Sequence, residues 1–353
     1  MNRHTKALEI LHGGTVIPAI PLVLDEHRRL DEAGQRKLIR YYLDSGVGGV
    51  AIAVHTTQFE IRKPEIGLFE PVLTIASQEF DAFEARTGKT LVRVAGVCGP
   101  VAQACAEAET VKRLGFDAVL LSPGGLADYT EEQLVERTHA VAKVMPVIGF
   151  YLQTACGGRR LSFEYWKAVA DTPNVVAIKC ASFNRYQTID LVRGVAFSAR
   201  RDKVALYTGN DDNIVVDLLT PFRFVVEGKP VELRFVGGLL GHWSLWTHSV
   251  VQLYHELRAY RNGQDIPSEL LARAVAITDC NGAFFDVAHN FAGCIPGVHE
   301  VLHRQGLMPG TWCLDPNEVL SPGQAEEITR VCKAYPDLND DAFVAAHRKE
   351  WED

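Results

Sequence analysis

Eight short apolar runs, each followed by a stretch long enough for a helix, constrain this chain more than any other feature. They read TVIPAIPL from Thr15, GGVAIAV from Gly48, TLVRVAGV from Thr90, FDAVLLSP from Phe116, PVIGFYL from Pro146, VVAIKCA from Val175, VALYTGN from Val204 and LRFVGGLLG from Leu233. The runs are rich in β-branched residues and nearly continuous in apolar character, the pattern of parallel strands covered on both faces. Between them, residues 30–46 put Leu30, Leu38, Tyr41 and Tyr42 on one side and stop at Gly46, and residues 101–115 stop in the same way at Gly115. Glycine just past the last periodic residue is a helix stop. Ser162 is a good N-cap for SFEYWKAVADT, although Tyr165 three residues on leaves no capping box. Asp211 is a candidate cap for DNIVVDLLT.

Strand then helix, eight times in roughly 240 residues, is the count of a (β/α)8 barrel. A doubly wound sheet would carry a glycine fingerprint after its first strand, and LHGGTVIP is not one. After Tyr260 the pattern turns helical. PSELLARAVAITDCNGAFFDVAHNF reads as one long or broken helix, GVHEVLHRQGL as another, and the tail from Ser321 as one or two more. MPGTWCLDPNEVLSPG reads as a surface loop. The expected organisation is a barrel over residues 1–260 and a helical extension over 261–353 packed on it.

The net charge of −8 excludes the basic field that non-specific nucleic-acid binding needs. No uninterrupted apolar stretch reaches membrane-spanning length, and the polar start MNRHTKALEI is no secretory leader. Eight scattered cysteines without a CxxC pair read as reduced thiols, which predicts a cytoplasmic protein. His242 and His248 lie six apart, and His299 and His303 lie four apart on a helix. Neither pair carries the carboxylate of an H-E-x-x-H motif, so no metal site is expected.

Chemistry in such a barrel belongs at the C-terminal ends of its strands. Lys179 interrupts an apolar strand there, and Tyr151 stands 28 residues earlier, about one βα unit away. A strand-end lysine alone is often a snorkelling one, with its head in water. Held instead among apolar groups, it loses hydration, its pKa falls, and the neutral amine can attack a ketone to form an imine. A phenol on the adjacent strand would shuttle the protons.

Four segments in order extend this reading. YLQTACGGRRLS followed by TPNVVAIKCAS resembles the tyrosine segment and lysine strand of the dihydrodipicolinate synthase / N-acetylneuraminate lyase family of Schiff-base aldolases. HTTQFE resembles that family's paired-threonine loop, and LYTGNDD its G-x-D-E segment. The likeness runs from about Gly14 to about Trp243. It implies Lys179 as the Schiff-base lysine and Tyr151 as the proton shuttle. It implies Thr56 and Thr57 as binders of a 2-oxo acid carboxylate, and Gly209, Asp211 and Asp212 as the lining for the second substrate. It also implies pyruvate or a close analogue as substrate, an aldehyde as a possible second one, no cofactor, and a homo-oligomer, dimer or tetramer.

Departures mark a divergent member. Cys156 stands where the synthase branch has an arginine, Arg159 and Arg160 being possible substitutes. Gly124 and Gly125 stand where aromatic residues would complete an intersubunit relay. His55 opens the threonine loop, with an extra residue around Gln58 and Phe59, and His242 stands near a small hydroxyl position. Both histidines are candidate polar or acid–base contacts. The expected activity is aldol-type cleavage or condensation, or a related dehydration. The alternatives are a metal-dependent lyase on the same barrel, or a non-catalytic binder of a small keto or hydroxy acid.

Overall fold

A computed structural model describes residues 2–352. The strands are β1 (Val16–Pro18), β2 (Gly49–Ile52), β3 (Val92–Val97), β4 (Ala118–Leu121), β5 (Val147–Leu152), β6 (Val175–Ala181), β7 (Ala205–Thr208), β8 (Phe222–Val226), β9 (Lys229–Leu233) and β10 (Phe235–Leu240). Eight of them form one sheet in the order β1-β10-β7-β6-β5-β4-β3-β2, with parallel pairing from β3 through β7 to β10. A parallel bridge between Ala19 and Ala51 joins the two ends, and helices alternate with the strands. This is the (β/α)8 barrel, and each of its eight strands lies within one of the apolar runs read from the sequence.

The helices are α1 (Arg3–Gly13), α2 (Glu32–Asp44), α3 (Phe69–Thr87), α4 (Val101–Arg113), α5 (Glu131–Ala142), α6 (Phe163–Asp171), α7 (Arg185–Ala196), α8 (Ile214–Leu219), α9 (Thr247–Ala259), α10 (Ser268–Phe284), α11 (Cys294–Arg304), α12 (Gln324–Ala334) and α13 (Asp341–His347). Among the described residues, no strand follows residue 260. Ser162 caps α6 by accepting from the Tyr165 N–H. Asp211 does not cap α8, which starts after Asn213. The apolar run there is spent sooner than its length suggests, because the chain turns into the antiparallel β8–β9 hairpin. Sequence reading did not find this hairpin, because Glu227-Gly228 sits inside a run that also alternates.

The contacts divide the chain into two compact units, Met1–Thr15 with Thr90–Leu239, and Val16–Lys89 with Leu240–Asp353. In the first, α1 is tied down by Asp117, a side chain with no exposed surface. Asp117 accepts from Arg3 at 2.6 and 2.8 Å, from the Arg93 N–H at 3.0 Å, and faces His4 at 3.0 Å. The Tyr207 hydroxyl donates to the Leu11 carbonyl at 2.7 Å. Gly14 and Gly237 let backbones touch: a Cβ on Gly14 would lie 2.1 Å from the Val236 oxygen, and one on Gly237 2.3 Å from the Thr15 oxygen.

In the second unit, the tail packs along α2. Tyr41 and Tyr42 are fully buried, and Trp351 meets Tyr41 edge-on at 5.4 Å. Asp340 accepts from the Tyr41 hydroxyl at 2.8 Å, the His248 N–H at 3.0 Å and Gln305 at 2.9 Å. α10 stops where Asp286 takes φ +56°, so the segment read as one long or broken helix is broken there.

Candidate active site

Lys179 is 8% exposed, near the end of β6. Its Nζ sits 4.5 Å from the Phe150 ring centroid. Gly209, after β7, leaves the space its chain occupies: a Cβ there would lie 2.5 Å from Lys179 Cε and 2.9 Å from the Ala181 Cβ. Burial brings the Lys179 pKa down to about 8, opposed by the negative fields of Asp211 and, less, Cys156. The Cys156 thiol is itself pushed up to about 11 by burial, so its field acts only once it ionises in alkali, and at neutral pH the opposing charge is that of Asp211. Gln153 Nε2 lies 3.5 Å from its sulfur. Lys179, Gly209, Asp211 and Cys156 are thus brought together.

Tyr151 does not join them. β6 carries a bulge: Val147 pairs with Val175, but Ile148 pairs with Ala177, leaving Val176 as the extra residue. The bulge moves the pairing by one residue, and a one-residue shift exchanges the faces of a strand. Lys179 is therefore in register with Phe150, and Tyr151 with Cys180, on the helix-covered side. There the Tyr151 ring packs on Trp166 of α6 at 5.1 Å, its hydroxyl donates to Gln187 of α7 at 2.8 Å, and it accepts from the Leu161 N–H at 3.2 Å. The 28-residue spacing that pairs Tyr151 with Lys179 assumes an unbroken register, whereas here Lys179 is level with Phe150. The nearby signal was Asn174 at φ +67°, just ahead of the bulge.

Around Gly209 the polar groups organise the strand ends. Asn210 turns outward and bonds Thr188 at 3.1 Å and Asp217 at 2.9 Å. Asp217, fully buried, also accepts from Thr208 at 2.7 Å and pairs with Arg185 at 2.7 Å. Asp211 is buried, whereas Asp212 is exposed. Arg159 donates to the carbonyls of Ala127 and Tyr129, and Arg160 is exposed and acts electrostatically on Tyr151.

In the second unit, His55, Thr56 and Thr57 form a single 3-10 turn after β2. Both threonine hydroxyls are committed to the chain: Thr56 donates to the Ala19 carbonyl at 3.0 Å and Thr57 to the Ile20 carbonyl at 2.7 Å. His55 packs against Phe59 at 6.0 Å. His242 is buried, stacked on Phe284 of α10 at 6.4 Å and hydrogen-bonded to Asn281. Burial lowers its pKa to about 4, so it is a neutral imidazole held by the helical tail. His299 Nδ1 lies 4.0 Å from the Cys313 sulfur and His303 Nδ1 3.0 Å from the Met308 carbonyl. Among the described residues no group of three His, Cys, Asp or Glu could hold a metal, and no helix is long and apolar enough to cross a membrane.

Residues 13–221 match the sequence pattern of the dihydrodipicolinate synthetase family. This chain belongs to that family. Among curated relatives, it is similar to N-acetylneuraminate lyase of Escherichia coli strain SMS-3-5, with 25% identity over 207 residues. The counterpart from Escherichia fergusonii is 24% identical. The match covers 58% of this chain and 65% of the relative's length in both cases. Among solved structures, dihydrodipicolinate synthase from Oceanobacillus iheyensis superposes with a TM-score of 0.71 at 17% identity, covering 95% of this chain and 100% of that one. N-acetylneuraminate lyase from Fusobacterium nucleatum, complexed with pyruvate, gives 0.70 at 15% identity, covering 92% and 97%. Those structural likenesses establish the shared fold of the family.

Proposed function

We propose that the chain is a lysine-imine lyase of the class I aldolase type, acting on pyruvate or another 2-oxo acid. The observation that carries this is the buried Lys179 amine, brought to a pKa of about 8 and packed between Phe150 and Gly209. At neutral pH about a tenth of such an amine is unprotonated, against well under a thousandth for an ordinary lysine. The nitrogen lone pair attacks the keto carbon, the carbonyl π pair moves to oxygen, a proton passes from nitrogen to that oxygen, and uptake of one further proton lets the hydroxyl leave as water and gives the protonated imine. The imine draws electrons from the adjacent carbon, whose proton or carbon–carbon bond then breaks.

Family membership and the pyruvate-bound lyase from Fusobacterium nucleatum support the substrate class. The turn at Thr56 and Thr57 is our candidate carboxylate binder, on its motif. Asp211, with Gly209 and Asp212 nearby in sequence, is our candidate for proton handling and for contacts to the second half of the substrate. Tyr151 serves the packing of β5 on α6 and α7 in this reading. A binder without turnover is the second reading, and the phenol turned away from the amine favours it.

Proton exchange separates them. An imine in equilibrium with its enamine exchanges the methyl protons of pyruvate for deuterium. Exchange seen by NMR with the wild type and lost in Lys179→Ala supports the lyase. Exchange that persists in Lys179→Ala contradicts it.

A further inference from the structure

We infer that the outer edge of β8 is a self-association surface, on which β8 of a second copy of this chain pairs antiparallel across a two-fold axis. The β8–β9 hairpin lies wholly within the first compact unit and forms a two-stranded sheet of its own. Its turn, Glu227-Gly228, holds φ +49° and +77°, the two positive values of a two-residue type I′ turn. That turn fixes the ladder. Val226–Lys229, Phe224–Val231 and Phe222–Leu233 are its hydrogen-bonded pairs, and Val225–Pro230 and Arg223–Glu232 alternate with them as non-bonded pairs. Pro230, with no N–H to give, falls at one of the non-bonded places.

The alternation leaves the N–H and C=O groups of Arg223 and Val225 pointing away from β9. Among the described residues, they meet no backbone partner outside the hairpin. One face of the ribbon is used up within the unit: Phe222 and Val226 are buried, and Phe222 meets Phe235 edge-on at 5.5 Å. The other is open, with Val225 69% exposed and Arg223 exposed beside it. The two edges also differ. β9 carries Lys229 and Pro230, residue types that keep a sheet edge from pairing, and β8 carries neither.

Charge selects the occupant and the register. Two antiparallel copies of β8 can bond through their outward groups in two ways. In one, Val225 faces its own symmetry mate, and Arg223 faces the mate of Glu227, twice over. In the other, Arg223 faces the mate of Val225. Glu227 is exposed and makes no ion pair among the described residues. Arg223 shares its one carboxylate, Glu232, with Arg234. Opposite charges set across from each other stabilise a strand pair, so the first register is favoured. A second copy supplies both complements by symmetry alone. The contact is short and belongs with small interfaces, below about 1,200 Å², so a Kd above about 1 μM is expected.

Sedimentation equilibrium of the full chain, from about 10 μM to about 1 mM, brackets such a Kd. Val225→Lys sets two ammonium groups face to face and should weaken association at least about tenfold. Glu227→Lys breaks no ion pair within the chain and should weaken it at least about threefold, by opposing Arg223 with a like charge. Adding Arg223→Glu to that variant exchanges the signs and should restore association toward the wild-type value. This rescue separates strand pairing from local unfolding of the hairpin. A wild type that stays monomeric over the range leaves the edge to some other chain and overturns the inference. So does an order of assembly that Val225→Lys leaves unchanged, which would place the contact on another surface. A double exchange that associates no better than Glu227→Lys overturns it as well.

Discussion

A buried amine is costly to a fold, and the cost has a sign that can be read from pH. Folded Lys179 loses its proton near pH 8, against an ordinary value of 10.5 in the unfolded chain. Between those values the unfolded state binds more protons, so stability rises as pH rises through the window. Below pH 8 both states are protonated and the penalty is constant. The full difference is about 3 kcal/mol, and Lys179→Met should remove the pH-dependent rise, as followed by urea unfolding at pH 7.5, 9 and 10. Gly209→Ala tests the same pocket from the other side. Its Cβ would collide with Lys179 Cε, so borohydride labelling by pyruvate should fall at least about tenfold. Wild-type labelling would show that the lysine does not lie where described. Lys179 was legible in the sequence because an ammonium in an apolar strand is conspicuous. Phe150, its actual ring neighbour, was not, because an apolar residue in an apolar run carries no mark.

At the scale of elements, the bulge in β6 decides more than any single side chain. It adds Val176 to one strand and so exchanges which of Phe150 and Tyr151 shares a face with Lys179. Tyr151→Phe should therefore cost stability of about 1 kcal/mol, the worth of its bonds to Gln187 and Leu161, while exchange of pyruvate protons drops by less than about threefold. A proton-shuttle role would instead lower exchange by about a hundredfold or more. The eight strands were readable because continuous apolar runs have few other uses. Register is set by bulges and turns that leave little trace in composition, and the β8–β9 hairpin escaped for a related reason. Its residues alternate as a half-exposed ribbon does, inside a stretch that also suits a helix.

For the molecule as a whole, the tail after residue 260 is integral to the unit that holds β1, β2 and α2, through Asp340, Trp351 and the loop at Leu314. Trp351→Ala removes a fully buried ring that meets Tyr41 and donates to Asp44. It should destabilise by about 3–5 kcal/mol in denaturant unfolding; a loss under about 1 kcal/mol would mean the tail is dispensable. Sequence reading found the tail's helices but not their anchors, because Asp340, Gln305 and His248 converge only in the folded chain. The central claim is that Lys179 captures a 2-oxo acid covalently. Reduction with borohydride in the presence of pyruvate, followed by peptide mapping, tests it most directly. One adduct is expected, on Lys179, and none in Lys179→Ala. An unmodified Lys179, or an adduct on another lysine that survives the substitution, would contradict it.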